Sequence, residues 1–208
     1  MANDYRREIH SASVIMNYYQ LSSKSPNPET PDKTWFAEAK QTILCKECAS
    51  ARVTGQPIDV VLQTMPDRSA LNVVHGVCVQ IATVSLLKAL FPEGPENCLL
   101  LGKVFGPDRK EAVDFVTIMK LERILIRGNE RSGFRVCPDC HRIWYSTIGK
   151  RYLLKRDVGN ISVFESQFGG LVVAEPVAQR VIGGKWRNLV IQKLELRDEP
   201  VDGLDIPV

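Results

Sequence analysis

Two Cys-x-x-Cys pairs, Cys45-Lys46-Glu47-Cys48 and Cys137-Pro138-Asp139-Cys140, constrain this chain more than any other feature. A two-residue spacing lets a tight turn aim both sulfurs at one ion, and four thiolates complete a tetrahedral Zn²⁺ site. The pairs stand about 90 residues apart, whereas a compact zinc ribbon separates them by roughly 15–20. One shared ion therefore requires a fold that brings two distant knuckles together. Otherwise the pairs hold separate ions or do different jobs.

The metal reading depends on where the protein works. No apolar run reaches the length of a membrane span, and Asp4, Glu8 and His10 interrupt the stretch where a signal peptide needs continuous apolar sequence. The expectation is a cytoplasmic protein, where thiols stay reduced and paired cysteines hold metal more often than they form disulfides. Cys78 and Cys98 sit alone in apolar runs and read as small core residues. A formal charge of +3 over 208 residues is too small to imply nucleic-acid binding by itself.

Along the chain, residues 13–21 (SVIMNYYQL) are rich in β-formers and predict a first strand; Pro26, Pro28 and Pro31 make 22–32 a loop. Trp35 and Phe36 lead through a short segment to the first knuckle. A strand is expected over 58–62, then a strand from Gly76 that passes into a helix with Ile81, Val84, Leu87 and Leu90 at helical spacing. Strands follow over 98–105 and 115–126, and Gly128, Asn129 and Gly133 predict a loop before the second knuckle. Residues 142–146 and 188–196 read as strands, with a last helix within 170–184 and a frayed acidic tail after Arg197.

Residues 76–104 and 170–196 resemble each other as strand, helix, turn and apolar strand, with Val79 matching Val173 and Leu87 matching Val181. A Cys-x-x-Cys precedes each by a similar distance. This predicts a duplicated unit, two halves spanning 1–110 and 111–208 within one body, and a zinc site between them. The fold class expected is α+β: mixed β-sheets with a few helices, two pseudo-repeated halves joined by a four-cysteine zinc-knuckle site.

Other chemistry is thinly represented. Redox Cys-x-x-Cys motifs open a helix after a strand, whereas both pairs here are flanked by strand-like sequence. His141 follows Cys140 and is a candidate substitute ligand, although a surface histidine is the plainer reading; His75 has no acid or nucleophile near it in sequence. No phosphate-cradling glycine loop, His-Glu-x-x-His, Gly-x-Ser-x-Gly or carboxylate cluster is present, so an enzyme is not expected. Trp144, Tyr145, Lys150, Arg151, Tyr152, Lys155 and Arg156 interleave aromatic and basic side chains. That pattern suits a zinc-ribbon-like binder of single-stranded nucleic acid, or an ordinary exposed strand face.

The order of parts resembles the double-CXXCG motif proteins, bacterial proteins that in part act as immunity proteins against a toxin delivered between neighbouring cells. The matching parts are NYYQL, the Cys45/Cys48 pair, the middle strand–helix segment, the Cys137/Cys140 pair, and FGGLVVAEPVAQRV followed by NLVIQKLEL. The glycine that follows the second cysteine in that family is replaced by Ala49 and His141. The resemblance implies a zinc site at Cys45, Cys48, Cys137 and Cys140 and a role in binding a toxin-like protein partner. The expected function is thus a non-enzymatic cytoplasmic zinc protein that binds another protein.

Overall fold

A short polar helix and a set of brief strands precede the long hairpin that carries the second knuckle. The computed structural model describes residues 16–24, 28–48, 55–77, 79–95, 99–120, 122–167 and 170–201, the side chains of 131–134 and 144–148 excepted. In order these form β1 (Tyr18–Ser23), α1 (Lys33–Thr42), β2 (Val60–Val61), β3 (Leu71–Val74), β4 (Val79–Thr83), α2 (Val84–Leu90) and β5 (Leu100–Phe105). Then come β6 (Glu111–Met119), β7 (Arg123–Ile124), β8 (Arg127–Val136), β9 (Ile143–Leu154), α3 (Lys155–Val158), β10 (Val163–Ser166), β11 (Leu171–Ala174), α4 (Glu175–Ala178) and β12 (Leu189–Arg197). No helix among the described residues is long and apolar enough to cross a membrane.

The strands make two mixed sheets, one of seven strands in the order β7-β10-β11-β1-β12-β9-β8 and one of five in the order β2-β5-β6-β4-β3. Sheet dominates, with few helices, as expected in coarse outline. The five-stranded order has a counterpart inside the larger sheet, β9-β12-β1-β11-β10. In both runs the first pair is parallel and the next three are antiparallel. Each run contains one strand from the other end of the chain. β1 lies between β11 and β12, and β6, which opens the C-terminal half, lies between β4 and β5.

Apolar alternation explains how the sheets stack, since neighbouring strand residues face opposite sides. One core unites inner faces of both sheets: Tyr19 and Leu21 of β1, Leu71 of β3, Ala82 of β4, Ile118 of β6, Val163 of β10, and Leu171 and Val173 of β11. Leu86, Leu87 and Leu90 of α2 close it. The alternate residues build two outer cores. Ile81, Val104 and Met119 pack with Trp35 and Ala39 of α1, and Tyr18, Val172 and Leu194 pack with Phe164 and Ile126.

Local chemistry sets the boundaries, and several differ from the sequence expectation. The segment after Pro31 is a ten-residue helix: the Asp32 carboxylate accepts from the backbone N–H of Thr34 and Trp35, both at 3.0 Å, satisfying donors that a helix start leaves free. The expected strand over 115–126 is broken. β6 stops at Met119 and β7 begins at Arg123 in the other sheet, so the chain changes sheets there. The loop expected over 128–133 is instead β8, and pairing shifts at Gly128/Glu130 and Arg131/Gly133 absorb the glycines as irregularities of the ladder. Gly76 belongs to a turn at φ +76°, so β4 begins three residues later. Ile81 is a β4 residue, and helical spacing holds only from Val84. β3 and β10 have no counterpart in the sequence reading. Cys78, Cys98, residues 13–15 and the tail from 202 lie outside the described residues.

Candidate metal centre

Each Cys-x-x-Cys sits where a secondary-structure element ends. The first follows α1, whose last turn hands over through Ile43 and Leu44, both N–H groups bonding to the Ala39 carbonyl at 2.8 Å. The second is the tip of the β8–β9 hairpin. There the Cys137 N–H bonds the Arg142 carbonyl at 2.9 Å and the His141 N–H bonds the Cys137 carbonyl at 3.0 Å. These two bonds close a knuckle. His141 takes the left-handed backbone, φ +55°, that glycine would supply at this step. Histidine is one of the residue types that enter that region more readily, so the turn closes without the glycine.

The two knuckles meet although 92 residues separate their cysteines. Cys45 Sγ lies 3.6 Å from Cys137 Sγ, and Cys48 Sγ lies 3.6 Å from Cys140 Sγ. All four sulfurs fall within 4.8 Å of one another. An ion about 2.3 Å from each of four sulfurs sets tetrahedral edges of about 3.8 Å, so the observed spacing fits a tetrathiolate site. The same spacing is far beyond a covalent S–S bond, and all four thiols are free. His141 is not part of the group. The four cysteines singled out by the sequence are therefore brought together as one cluster compatible with metal binding.

Burial and charge are uneven across the cluster. Cys45 and Cys137 are buried, while Cys48 and Cys140 are partly open. The Cys45 thiol donates to Asp139 Oδ2 at 3.1 Å. Burial pushes the Cys140 thiol up to about 12, aided by the neighbouring sulfurs and opposed by a hydrogen bond from the Arg142 backbone. Without metal, this thiol holds its proton at neutral pH. The tips Lys46, Glu47, Pro138 and Asp139 are exposed and border one shallow opening.

Behind the second knuckle lies a cavity of about 230 Å³ lined by Arg123, Ile124, Leu125, Cys140, His141, Arg142, Ile143 and Gln167. Gln167 fixes its floor by a reciprocal pair of bonds with the Ile126 backbone, at 2.9 and 2.6 Å. Two guanidinium groups there approach one carboxylate: Arg123 Nη2 is 3.5 Å and Arg142 Nη2 is 3.7 Å from Glu165 Oε1. Burial pushes the Glu165 carboxyl up while both arginines pull it down. Sequence reading missed these three residues. Only the isolated charges among Ile124, Leu125 and Ile143 or within the β10 strand hinted at them.

The basic group lies at the end of β9 away from the second knuckle, where its lysines and Arg156 form surface ion pairs. Lys150 pairs with Glu195 at 2.7 Å, Lys155 with Asp198 at 2.9 Å and Arg156 with Asp157 at 3.8 Å, while Arg151 donates to the Gln20 side chain at 2.9 Å. Arg197 covers the Tyr152 ring at 4.6 Å, and that ring is buried. The side chains of Trp144 and Tyr145 lie outside the described set. His75 is exposed in the turn after β3, its N–H bonded to the Glu29 carbonyl. No protein-family model matches the sequence, and no curated protein matches it.

Proposed function

We propose that this chain is a non-enzymatic zinc protein whose two pseudo-repeated halves, 1–110 and 111–208, are clasped by one ion held by Cys45, Cys48, Cys137 and Cys140. The observation that carries the reading is the convergence of four sulfurs from two distant knuckles to within 4.8 Å. Four thiolates suit zinc, although this donor set also accepts other soft metals, and a closed set of four leaves no open position for a substrate. The ion would supply folding free energy, because the unfolded chain has no preformed site. The matching strand runs support the duplicated unit.

The business of such a clasped body is to bind another protein in the cytoplasm. The resemblance to double-CXXCG immunity proteins supports this, and the partner would be a toxin whose working surface is covered by a rigid face. The nucleic-acid alternative finds less support, because the Tyr152 ring that would stack on a base is buried and covered by Arg197. Metal analysis of the purified protein tests the clasp: one zinc per chain is expected, and two ions or none would end it. Co-expression with the product of a neighbouring open reading frame tests the partner. The expected result is a complex that withstands purification together with relief of that product's toxicity. A neighbour that is neither toxic nor bound rejects the immunity role.

A further inference from the structure

The four cysteines are not equivalent. Cys45 and Cys137 are 2% and 1% exposed, whereas Cys48 and Cys140 are partly open, and each of these pairs takes one member from each knuckle. Within each pair the sulfurs stand 3.6 Å apart. The open pair also has a route of approach. Cys140 borders the cavity of about 230 Å³ behind the second knuckle, and Lys46, Glu47, Pro138 and Asp139 border an opening across both tips. A small oxidant therefore meets Cys48 and Cys140 before it meets the buried pair.

Sulfur oxidation follows thiolate character and exposure, and it yields a disulfide where a second sulfur stands close. A bound zinc ion would hold all four sulfurs as thiolates, so exposure is what sorts them. The 3.6 Å between Cys48 and Cys140 has to close to about 2.0 Å for a bond, a small shift for two partly open side chains. Redox Cys-x-x-Cys motifs join their own two sulfurs. Here the open sulfurs belong to opposite knuckles, so the favoured link runs between positions 92 residues apart.

We infer that Cys48 and Cys140 form a peroxide-sensitive pair whose disulfide releases the metal and replaces the ionic clasp by a covalent one. This deepens the zinc reading and rests on it. The Cys140 sulfur attacks one oxygen of hydrogen peroxide; an S–O bond forms, the O–O bond breaks and hydroxide leaves. The Cys48 sulfur then attacks the Cys140 sulfur; an S–S bond forms, the S–O bond breaks and a second hydroxide leaves. The two thiolates lose two electrons, and the peroxide, with two protons from solvent, ends as two waters. Cys45 and Cys137 alone remain as donors where zinc takes four, so the metal departs while the knuckles stay joined.

The experiment treats the full-length, zinc-loaded protein with one equivalent of hydrogen peroxide. Released zinc is read with a chromophoric indicator, and the cysteines are mapped by alkylation under denaturing conditions, tryptic digestion and tandem mass spectrometry. Cleavage after Lys46 separates Cys45 from Cys48. The expected product is peptide 47–52 joined to peptide 136–142 through Cys140, with Cys45 and Cys137 alkylated and one zinc released per link. A thiol reductant should restore zinc binding. In excess chelator the oxidised protein should melt roughly 5–10 °C above the reduced one, because the link closes a long loop. A Cys45–Cys48 or Cys137–Cys140 bond as the main product overturns the inference. So does zinc retained beside the link, or a melting point no higher than that of the reduced protein. Metal content before peroxide decides the zinc reading separately: a wild type that carries zinc but yields no link between Cys48 and Cys140 fails only the switch.

Discussion

The two runs of five strands share their order and directions but differ in what covers them. In the smaller sheet, α1 and Ile58 lie over the outer face, burying Val104 and leaving no room at Gly102. A Cβ on Gly102 would collide with the Ile58 carbonyl and approach the Thr117 hydroxyl. In the larger sheet, β12 occupies the corresponding place, and there the equivalent of Gly102 is the exposed Gln192, opposite Gln20 as Gly102 is opposite Thr117. The approach to the knuckles differs too, through the helix α1 to the first and through the ten-residue strand β8 to the second. One pairing scheme thus tolerates two coverings, and the knuckles are the parts that must still meet.

The comparison can be broken most forcefully at the cysteines. If one ion joins both runs, Cys45→Ser and Cys137→Ser should each lose nearly all zinc and destabilise the whole protein by several kcal/mol, because binding and folding are coupled. Retention of half the metal in either variant, read by metal analysis and thermal melting, would separate the runs. A smaller effect is expected at the exchanged strands. Leu21 of β1 and Ile118 of β6 occupy matching places in the shared core, 0% and 4% exposed. Replacing either by alanine should cost about 2–5 kcal/mol in denaturant titrations. Similar losses would support equal roles, and a negligible loss at one would break the equivalence.

The third contrast is Gly102→Ala against Gln192→Ala. The first should destabilise by about 1–3 kcal/mol through overpacking, while the second should stay within about 0.5 kcal/mol. The smallest effect concerns Glu195, at the place Phe105 holds in β5. Hydrogen bonds from Lys150 and Arg197 lower its carboxyl to about 2. Its folded value lies below the ordinary one of about 4.3, so its stabilisation is complete above that pH and fades as pH falls towards the folded value. Glu195→Gln should therefore be slightly less stable than wild type at neutral pH, with the gap closing in acid unfolding curves. A gap that widens on acidification would contradict the assignment.

The sequence shows the four cysteines that cluster and the apolar strands near each end, because these depend on local spacing. It hides α1, whose polar composition around Trp35 and Phe36 masks a helix signalled only by Asp32 as a cap. It misleads over 128–133, where glycine and asparagine usually mark turns but here fall at irregularities of a paired ladder. It is silent on the partners of β1 and on the Arg123–Arg142–Glu165 cluster, since both join residues far apart in the chain.

The seat of β1 between β11 and β12 has a consequence for how the protein is made. Its residues 18–23 pair with 189–194, so during synthesis from the N-terminus the first strand emerges long before its last neighbour exists. Contacts of such separation slow folding, and an unpaired apolar strand is open to misassociation while it waits. The five-stranded sheet faces the same delay on a shorter scale, until β6 arrives. Folding of this chain on the ribosome should therefore remain incomplete until β12 has cleared the exit tunnel, and a chain truncated before residue 189 should be a poor folder even though both knuckles are already present.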